Sequence, residues 1–390
     1  MNSFIFDNPT KLIFGSGALD TLRAYQMPGK KALLLISSGK SVRVNGHLEK
    51  VEKAFSDMGI EYVIYDGIEE NPLDTQCMAG AKVARENGCD FIFAMGGGAV
   101  LDSASAISCM ATNPGDLWDY MRAGTGGKQR QEIDGLPVVC VPTTSGTASE
   151  INGWGVISNE KTKEKMGFGG HTSLVPKLAI VDPKLMLTVP QKYTAYQGMD
   201  AFFHHAESYL GKGQNIMDEA LALSAIKEIY EWLPVAYKDG SNLEAREHVA
   251  YASTMAGYTM NLSGTVLPHA MEHALSAHHR NVPHGAGLIL IGRAFFARCI
   301  EEGASLAQFV NMAKVMGMPG AEKPEDFLAC YDKLIEAVGM SGLTMQNFGV
   351  EKSEAEALAE TAKSMQPSQF RNNPFRADVQ MVKEIYEVAF

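Results

Sequence analysis

Five short apolar runs divide the first 185 or so residues, at 32–37, 61–65, 91–95, 136–141 and 178–183. Amphipathic stretches at 44–58, 74–88 and 99–112 lie between them. Strand-length runs that alternate with helices make βαβ units and a mainly parallel sheet, because parallel neighbours need a crossover connection. After Val189-Pro190 the period changes, and only helical stretches follow, at 194–210, 217–238, 243–262, 268–278, 287–301, 304–316, 325–339, 352–364 and 377–389. The expected fold class is α/β plus all-α: a sheet domain over 1–186, then an all-helical domain over 187–390. Asp182-Pro183 and Val189-Pro190 mark the break. Phe4-Ile5-Phe6 and Lys11-Leu12-Ile13-Phe14-Gly15 are expected to form an extra strand pair, and 145–175 a long loop or hairpin.

A chain of 390 residues has room for two such cores. Its 46% hydrophobic and 20% charged residues are a globular balance. The formal charge of −11 argues against nucleic acid, since no basic surplus exists to neutralise phosphates. No apolar run reaches membrane length, and the first residues show no secretory pattern. Six cysteines without a CxxC suit reduced core thiols and a cytoplasmic location.

Chemistry concentrates in two clusters. Gly198-Met199-Asp200 leads to His204-His205-Ala206-Glu207, and His269-Ala270-Met271-Glu272-His273 leads to Pro283-His284-Gly285. Asp200 and His204 stand four residues apart, one helical turn on one face, and His269 and His273 repeat that spacing. One carboxylate and three neutral imidazoles from Asp200, His204, His269 and His284 would leave a divalent ion a net charge near +1, still a Lewis acid. His205 points away from that face. Glu207 shares it and could orient a ligand. His273 is the best remaining base. His278 and His279 read as loop or pocket-wall residues; His47, His171 and His248 stand alone and read as structural.

The third apolar run enters Gly96-Gly97-Gly98, then a helix carrying Asp102. A glycine triplet also serves simple tight turns, but between strand and helix it suits a pyrophosphate, with free N–H groups and the positive helix end. The spacing is not GxGxxG. The fourth run ends in Thr143, Thr144, Ser145, Thr147 and Ser149, hydroxyls placed where open α/β sheets bind ligands. They could hold phosphate, ribose or nicotinamide, or cap the next helix. The first run ends in Ser37, Ser38 and Lys40 instead of a carboxylate, which leans toward the 2′-phosphate of NADP.

In order and spacing these motifs resemble the iron-containing, or group III, alcohol dehydrogenase family, over nearly the whole chain. The resemblance implies a Rossmann-like dinucleotide-binding domain followed by a helical metal-binding domain. It implies Fe2+, sometimes Zn2+, on Asp200, His204, His269 and His284, a pyrophosphate loop at Gly96, Gly97, Gly98 and Asp102, and nicotinamide-side hydroxyls at Thr143, Thr144 and Thr147. His273 falls beside the cofactor. The expected activity is NAD(P)-linked interconversion of a small alcohol or diol with its aldehyde or ketone in a homo-oligomer. Alternatives are a glycerol-dehydrogenase-like polyol oxidoreductase, a dehydroquinate-synthase-like lyase, or a metal-binding protein without turnover. Family members that prefer NAD tend to carry Asp where this chain has Ser37 or Ser38. Many also have Asn-Ala after the His-Gly that here precedes Ala286-Gly287-Leu288.

Overall fold

The computed structural model describes residues 2–390 and divides into two compact units. One comprises Asp7–Thr162 and Met166–Thr188; the other comprises Val189–Phe390 with the segments 2–6 and Lys163–Lys165.

The first unit is built on a six-stranded sheet. Its strands are β1 (Lys11–Phe14), β2 (Lys31–Ser37), β3 (Glu61–Ile68), β4 (Phe91–Gly96), β5 (Val138–Pro142) and β8 (Leu178–Val181). The order is β1-β8-β5-β4-β2-β3, and every pairing is parallel. β4 and β5 are buried at every position, as a sheet covered on both faces requires. The helices α1 (Ser41–Val44), α2 (His47–Met58), α3 (Asp74–Glu86) and α4 (Gly98–Thr112) connect the strands. On one face Phe55 of α2 meets Phe93 edge-on, with ring centroids 5.1 Å apart. β6 (Trp154–Asn159) and β7 (Glu164–Gly169) form the separate hairpin that the 145–175 segment suggested.

The expected opening strand pair is corrected. Lys11–Phe14 is a strand, but its partner is β8, in parallel, and Phe4-Ile5-Phe6 is not a strand. The first residues belong to the helical unit instead. Asn2 Nδ2 donates to the Lys212 and Gln214 carbonyls at 2.6 and 2.8 Å, and Phe6 packs on Tyr258.

The helical unit begins with α5 (Gln191–Leu210), α6 (Ile216–Lys238), α7 (Leu243–Leu262), α8 (Leu267–His278) and α9 (His284–Glu301). It continues with α10 (Leu306–Val315), α11 (Glu325–Ala337), α12 (Ala355–Met365), α13 (Pro367–Asn372) and α14 (Val379–Ala389). The short α13 has no counterpart in the helical pattern of the sequence. α5 is buried almost all round, so it is the core helix and its polar residues need internal partners. Phe202, Phe203, Phe296, Phe309, Phe327 and Tyr331 form an aromatic core on α5, α9, α10 and α11. Two glycines let α9 lie close. A Cβ at Gly285 would fall 2.0 Å from the Tyr196 carbonyl oxygen, and one at Gly292 would fall 2.3 Å from the Phe203 ring. Among the described residues no helix is long and apolar enough to cross a membrane.

Candidate metal centre

Asp200 and His204 share a face of α5, His269 and His273 share a face of α8, and His284 opens α9 directly after Pro283. A proline at that point suits a helix start, where its missing N–H costs nothing. The three helices bring these residues together. Around Asp200 Oδ1 stand His284 Nε2 at 3.4 Å, His269 Nε2 at 3.5 Å and His204 Nδ1 at 3.7 Å. Asp200, His269 and His284 each offer a ligand atom within 4.8 Å of the others. His204 stands outside this closest group, its ring stacked on His269 with centroids 4.4 Å apart.

These separations are long for hydrogen bonds but suit a shared cation, since metal bonds of ~2.1 Å give a tetrahedral edge of about 3.4 Å. Asp200 Oδ1, His204 Nδ1 and His269 Nε2 are buried without hydrogen-bond partners. Orphaned buried polar atoms are costly and rare. Here they converge. The charges make the same demand: Asp200, Glu207 and Glu272 are buried carboxylates, and Lys165 is a buried ammonium beside Glu272. Two negative charges are left for imidazole protons or a divalent cation to balance.

Each ring is oriented by a further group. His269 Nδ1 donates to Glu207 Oε1 at 2.7 Å, while Glu207 Oε2 accepts from the Val266 N–H at 2.8 Å. His284 Nδ1 donates to Glu272 Oε2. Both rings therefore turn Nε2 toward Asp200, the carboxylate–histidine pattern common around metals. His273 faces Gln366, whose Nε2 donates to its Nδ1 at 2.6 Å. That leaves His273 Nε2 buried without a partner.

Electrostatics follow from burial and these contacts. Burial opposes the ionisation of Asp200, yet the imidazoles of His204 and His284 hold its carboxyl well below the usual range. Burial pushes His204 down to about 3. Burial also disfavours a charged His269, but the adjacent Glu207 raises it to about 10. His273 is held far below the usual value by burial and then by Lys165, so its ring is neutral.

Four other histidines find their partners away from this cluster. His205 is fully buried, with Nε2 on the Ala252 carbonyl at 2.8 Å and Nδ1 near Thr259 Oγ1 at 3.3 Å. His278 meets Thr361, His279 meets Glu354, and His248 stacks on Trp232 with centroids 4.2 Å apart.

The other expected residues lie at the carboxyl ends of neighbouring strands in the α/β unit. Gly96 ends β4, Gly97 precedes α4 and Gly98 begins it. A Cβ on Gly98 would come within 2.3 Å of Thr147 Cγ2, and one on Gly97 within 3.3 Å of Thr144 Cγ2, so the triplet packs against the threonine loop after β5. Thr143 N–H donates to the Gly96 carbonyl at 2.9 Å. Ala148 in that loop holds a φ of +54°, an uncommon backbone state of the sort found at ligand-binding loops. Asp102 faces inward: its carboxylate accepts from Ser149 Oγ and from the Val156 N–H, tying α4 to this loop and to β6. Ser37 ends β2, while Ser38 and Lys40 are exposed. The sheet order places β2, β4 and β5 side by side, so these loops share one edge.

Comparison with known proteins gives the chain a lineage. The model of the iron-containing alcohol dehydrogenase family matches residues 9–183, and that of the C-terminal part of the Fe-containing alcohol dehydrogenase family matches 194–390. The chain belongs to the iron-containing alcohol dehydrogenase family. It is 33% identical to a 1,3-propanediol dehydrogenase of Citrobacter freundii over 98% of this chain and 97% of the relative. It is 32% identical to an NAD-dependent methanol dehydrogenase of Bacillus methanolicus, covering 98% of each. The crystal structure of an archaeal halo-thermophilic alcohol dehydrogenase from a Red Sea brine pool superimposes with a TM-score of 0.94 at 29% identity, over 100% of this chain and 99% of the other.

As an iron-containing alcohol dehydrogenase the chain is an alcohol oxidoreductase. Three residues of its centre escaped sequence reasoning. Glu272 lies inside the His269–His273 cluster, but no role followed from its spacing. Lys165 and Gln366 stand 107 and 93 residues from the side chains they contact, and nothing local marks them.

Proposed function

We propose that this enzyme interconverts a small alcohol or diol with its aldehyde or ketone, using a nicotinamide nucleotide, with a divalent metal held by Asp200, His204, His269 and His284. The observation that carries the reading is the set of three imidazole nitrogens around one orphaned carboxylate oxygen, at 3.4 to 3.7 Å. The names of the relatives, a 1,3-propanediol and a methanol dehydrogenase, support the substrate class. Fe2+ follows the family, and Zn2+ suits the same donors.

When bound, the ion supplies Lewis acidity to an alcohol or carbonyl oxygen. The protein's own residues prepare for this. Glu207 and Glu272 hold the His269 and His284 rings with Nε2 turned inward. His284 keeps 24% of its side chain exposed, so the cluster is not sealed. His273, neutral and holding its hydrogen on Nε2, is the proposed group for passing a proton or contacting the cofactor. Gly96, Gly97 and Gly98 would take the pyrophosphate, with Asp102 bracing the loop, and Thr143, Thr144 and Thr147 would face the nicotinamide side. The finer preference, for NADP, rests on Ser37, Ser38 and Lys40, none of them a carboxylate that would repel a 2′-phosphate. A homo-oligomer is supported by the open edge of β1, and a cytoplasmic location by six unpaired buried cysteines.

The test is anaerobic. The protein is stripped with a chelator, reloaded separately with Fe2+ and Zn2+, and assayed for NADH and NADPH consumption with short aldehydes and ketones. Metal-dependent turnover is expected. Stoichiometric metal binding without turnover on any substrate would overturn the reading.

A further inference from the structure

Glu272 is wholly buried on α8 and serves two donors through one oxygen. Its Oε2 accepts from His284 Nδ1 and from Lys165 Nζ, the latter at 3.3 Å. Lys165 Nζ also donates to Ser276 Oγ at 2.8 Å, and that hydroxyl donates to the Glu272 carbonyl at 3.1 Å. The lysine side chain is 4% exposed and the glutamate side chain 0%. A buried ion pair rarely adds net stability, because desolvation offsets the attraction, so its presence calls for another reason.

We propose that Lys165 and Glu272 are a positioning pair that turns His284 toward Asp200 and sets the affinity of the centre for a divalent cation. The inference rests on the reading of His284 as a metal ligand. Glu272 fixes the tautomer of His284, with the proton on Nδ1 and the lone pair on Nε2. Lys165 supplies the balancing charge. With Asp200, Glu207 and Glu272 ionised, a divalent ion plus one ammonium brings the buried set to neutrality. Without the glutamate charge, the ammonium would repel the ion. Glu272 Oε1 is buried without a partner, and with His273 and His284 this carboxylate forms a second cluster of cation-ligand type. The lysine ammonium already balances the charge of that carboxylate, which leaves the Asp200 side as the place for the ion in this proposal.

The experiment titrates the stripped full-length protein anaerobically with Co2+, following its visible d–d bands and a competing chelator. His284→Ala tests the underlying reading: unaltered Co2+ binding there would refute His284 as a ligand. Glu272→Gln, nearly isosteric, tests the pair. It should weaken Co2+ roughly ten- to a hundredfold, the usual cost of losing a residue behind a metal ligand, and shift the d–d bands. Lys165→Met added to Glu272→Gln should recover at least half of that loss on a logarithmic scale. Suppose His284→Ala abolishes binding while Glu272→Gln stays within twofold of wild type with an unchanged spectrum. The pair is then a fold contact only, seen in the urea midpoint alone, and the proposal fails. A double variant no tighter than Glu272→Gln would equally refute the charge-balancing role of Lys165.

Discussion

Asp218 shows how a single buried charge writes pH dependence into the fold. It lies in the first turn of α6, and neither carboxylate oxygen has a hydrogen-bond partner; the nearby Ser208 hydroxyl donates to the His205 carbonyl instead. Burial raises its pKa to about 7. The folded state therefore binds its proton more tightly than the unfolded state does. The stability from this group is fully present below the unfolded pKa and is lost as pH rises through 7, at up to ~1.4 kcal/mol per unit. Asp218→Asn should raise the urea midpoint over wild type more at pH 8 than at pH 5, and an equal difference at both would remove the argument. Ser37 raises a question of specificity on the same scale. A carboxylate at that position would repel a 2′-phosphate, so Ser37→Asp should lower the NADPH/NADH ratio of kcat/KM at least tenfold. An unchanged ratio would take Ser37 out of the cofactor site.

At the scale of elements, the centre depends on how α5, α8 and α9 approach one another. Gly285 sits one residue past His284, with space for no side chain against Tyr196 of α5. Gly285→Ala should push α9 outward, cost about 2–3 kcal/mol in urea unfolding and weaken metal binding. Loss of stability with unchanged metal affinity would show that α9 adjusts without moving His284. The elements themselves were largely readable. Short apolar runs became β2 to β5 and β8, and the 3.6-residue period marked the major helices, because burial of one face or stripe leaves a local imprint. The opening segment was misread for the same reason. An apolar triplet such as Phe4-Ile5-Phe6 carries no sign of its partner: Phe6 goes to Tyr258, and nearby Asn2 to Lys212 and Gln214. α13, only six residues long, is too short to show a period.

For the whole molecule, the helical unit should depend on its metal by mass action. A ligand at a hundred times its Kd stabilises the folded state by ~2.7 kcal/mol, which for a unit of this size is roughly 5–10 °C in Tm. Calorimetry with and without chelator measures it, and an unshifted midpoint would mean that the folded state does not hold the ion. The division into units, by contrast, was only partly visible in the chain. The change of period near Val189 marks one boundary, but Lys163–Lys165 and the first residues also join the helical unit. The sequence alone determined the class of each half and pointed to Asp200 and His204 on one helix face and to His269 and His273 on another, since i,i+4 spacing on a helix is a local property. Tertiary structure decided which strand β1 meets, that His204 stands outside the tightest group, and that Lys165, Glu272 and Gln366 complete the centre. Those contacts join residues tens to more than a hundred positions apart, where only packing and the need to pair buried charge select a partner.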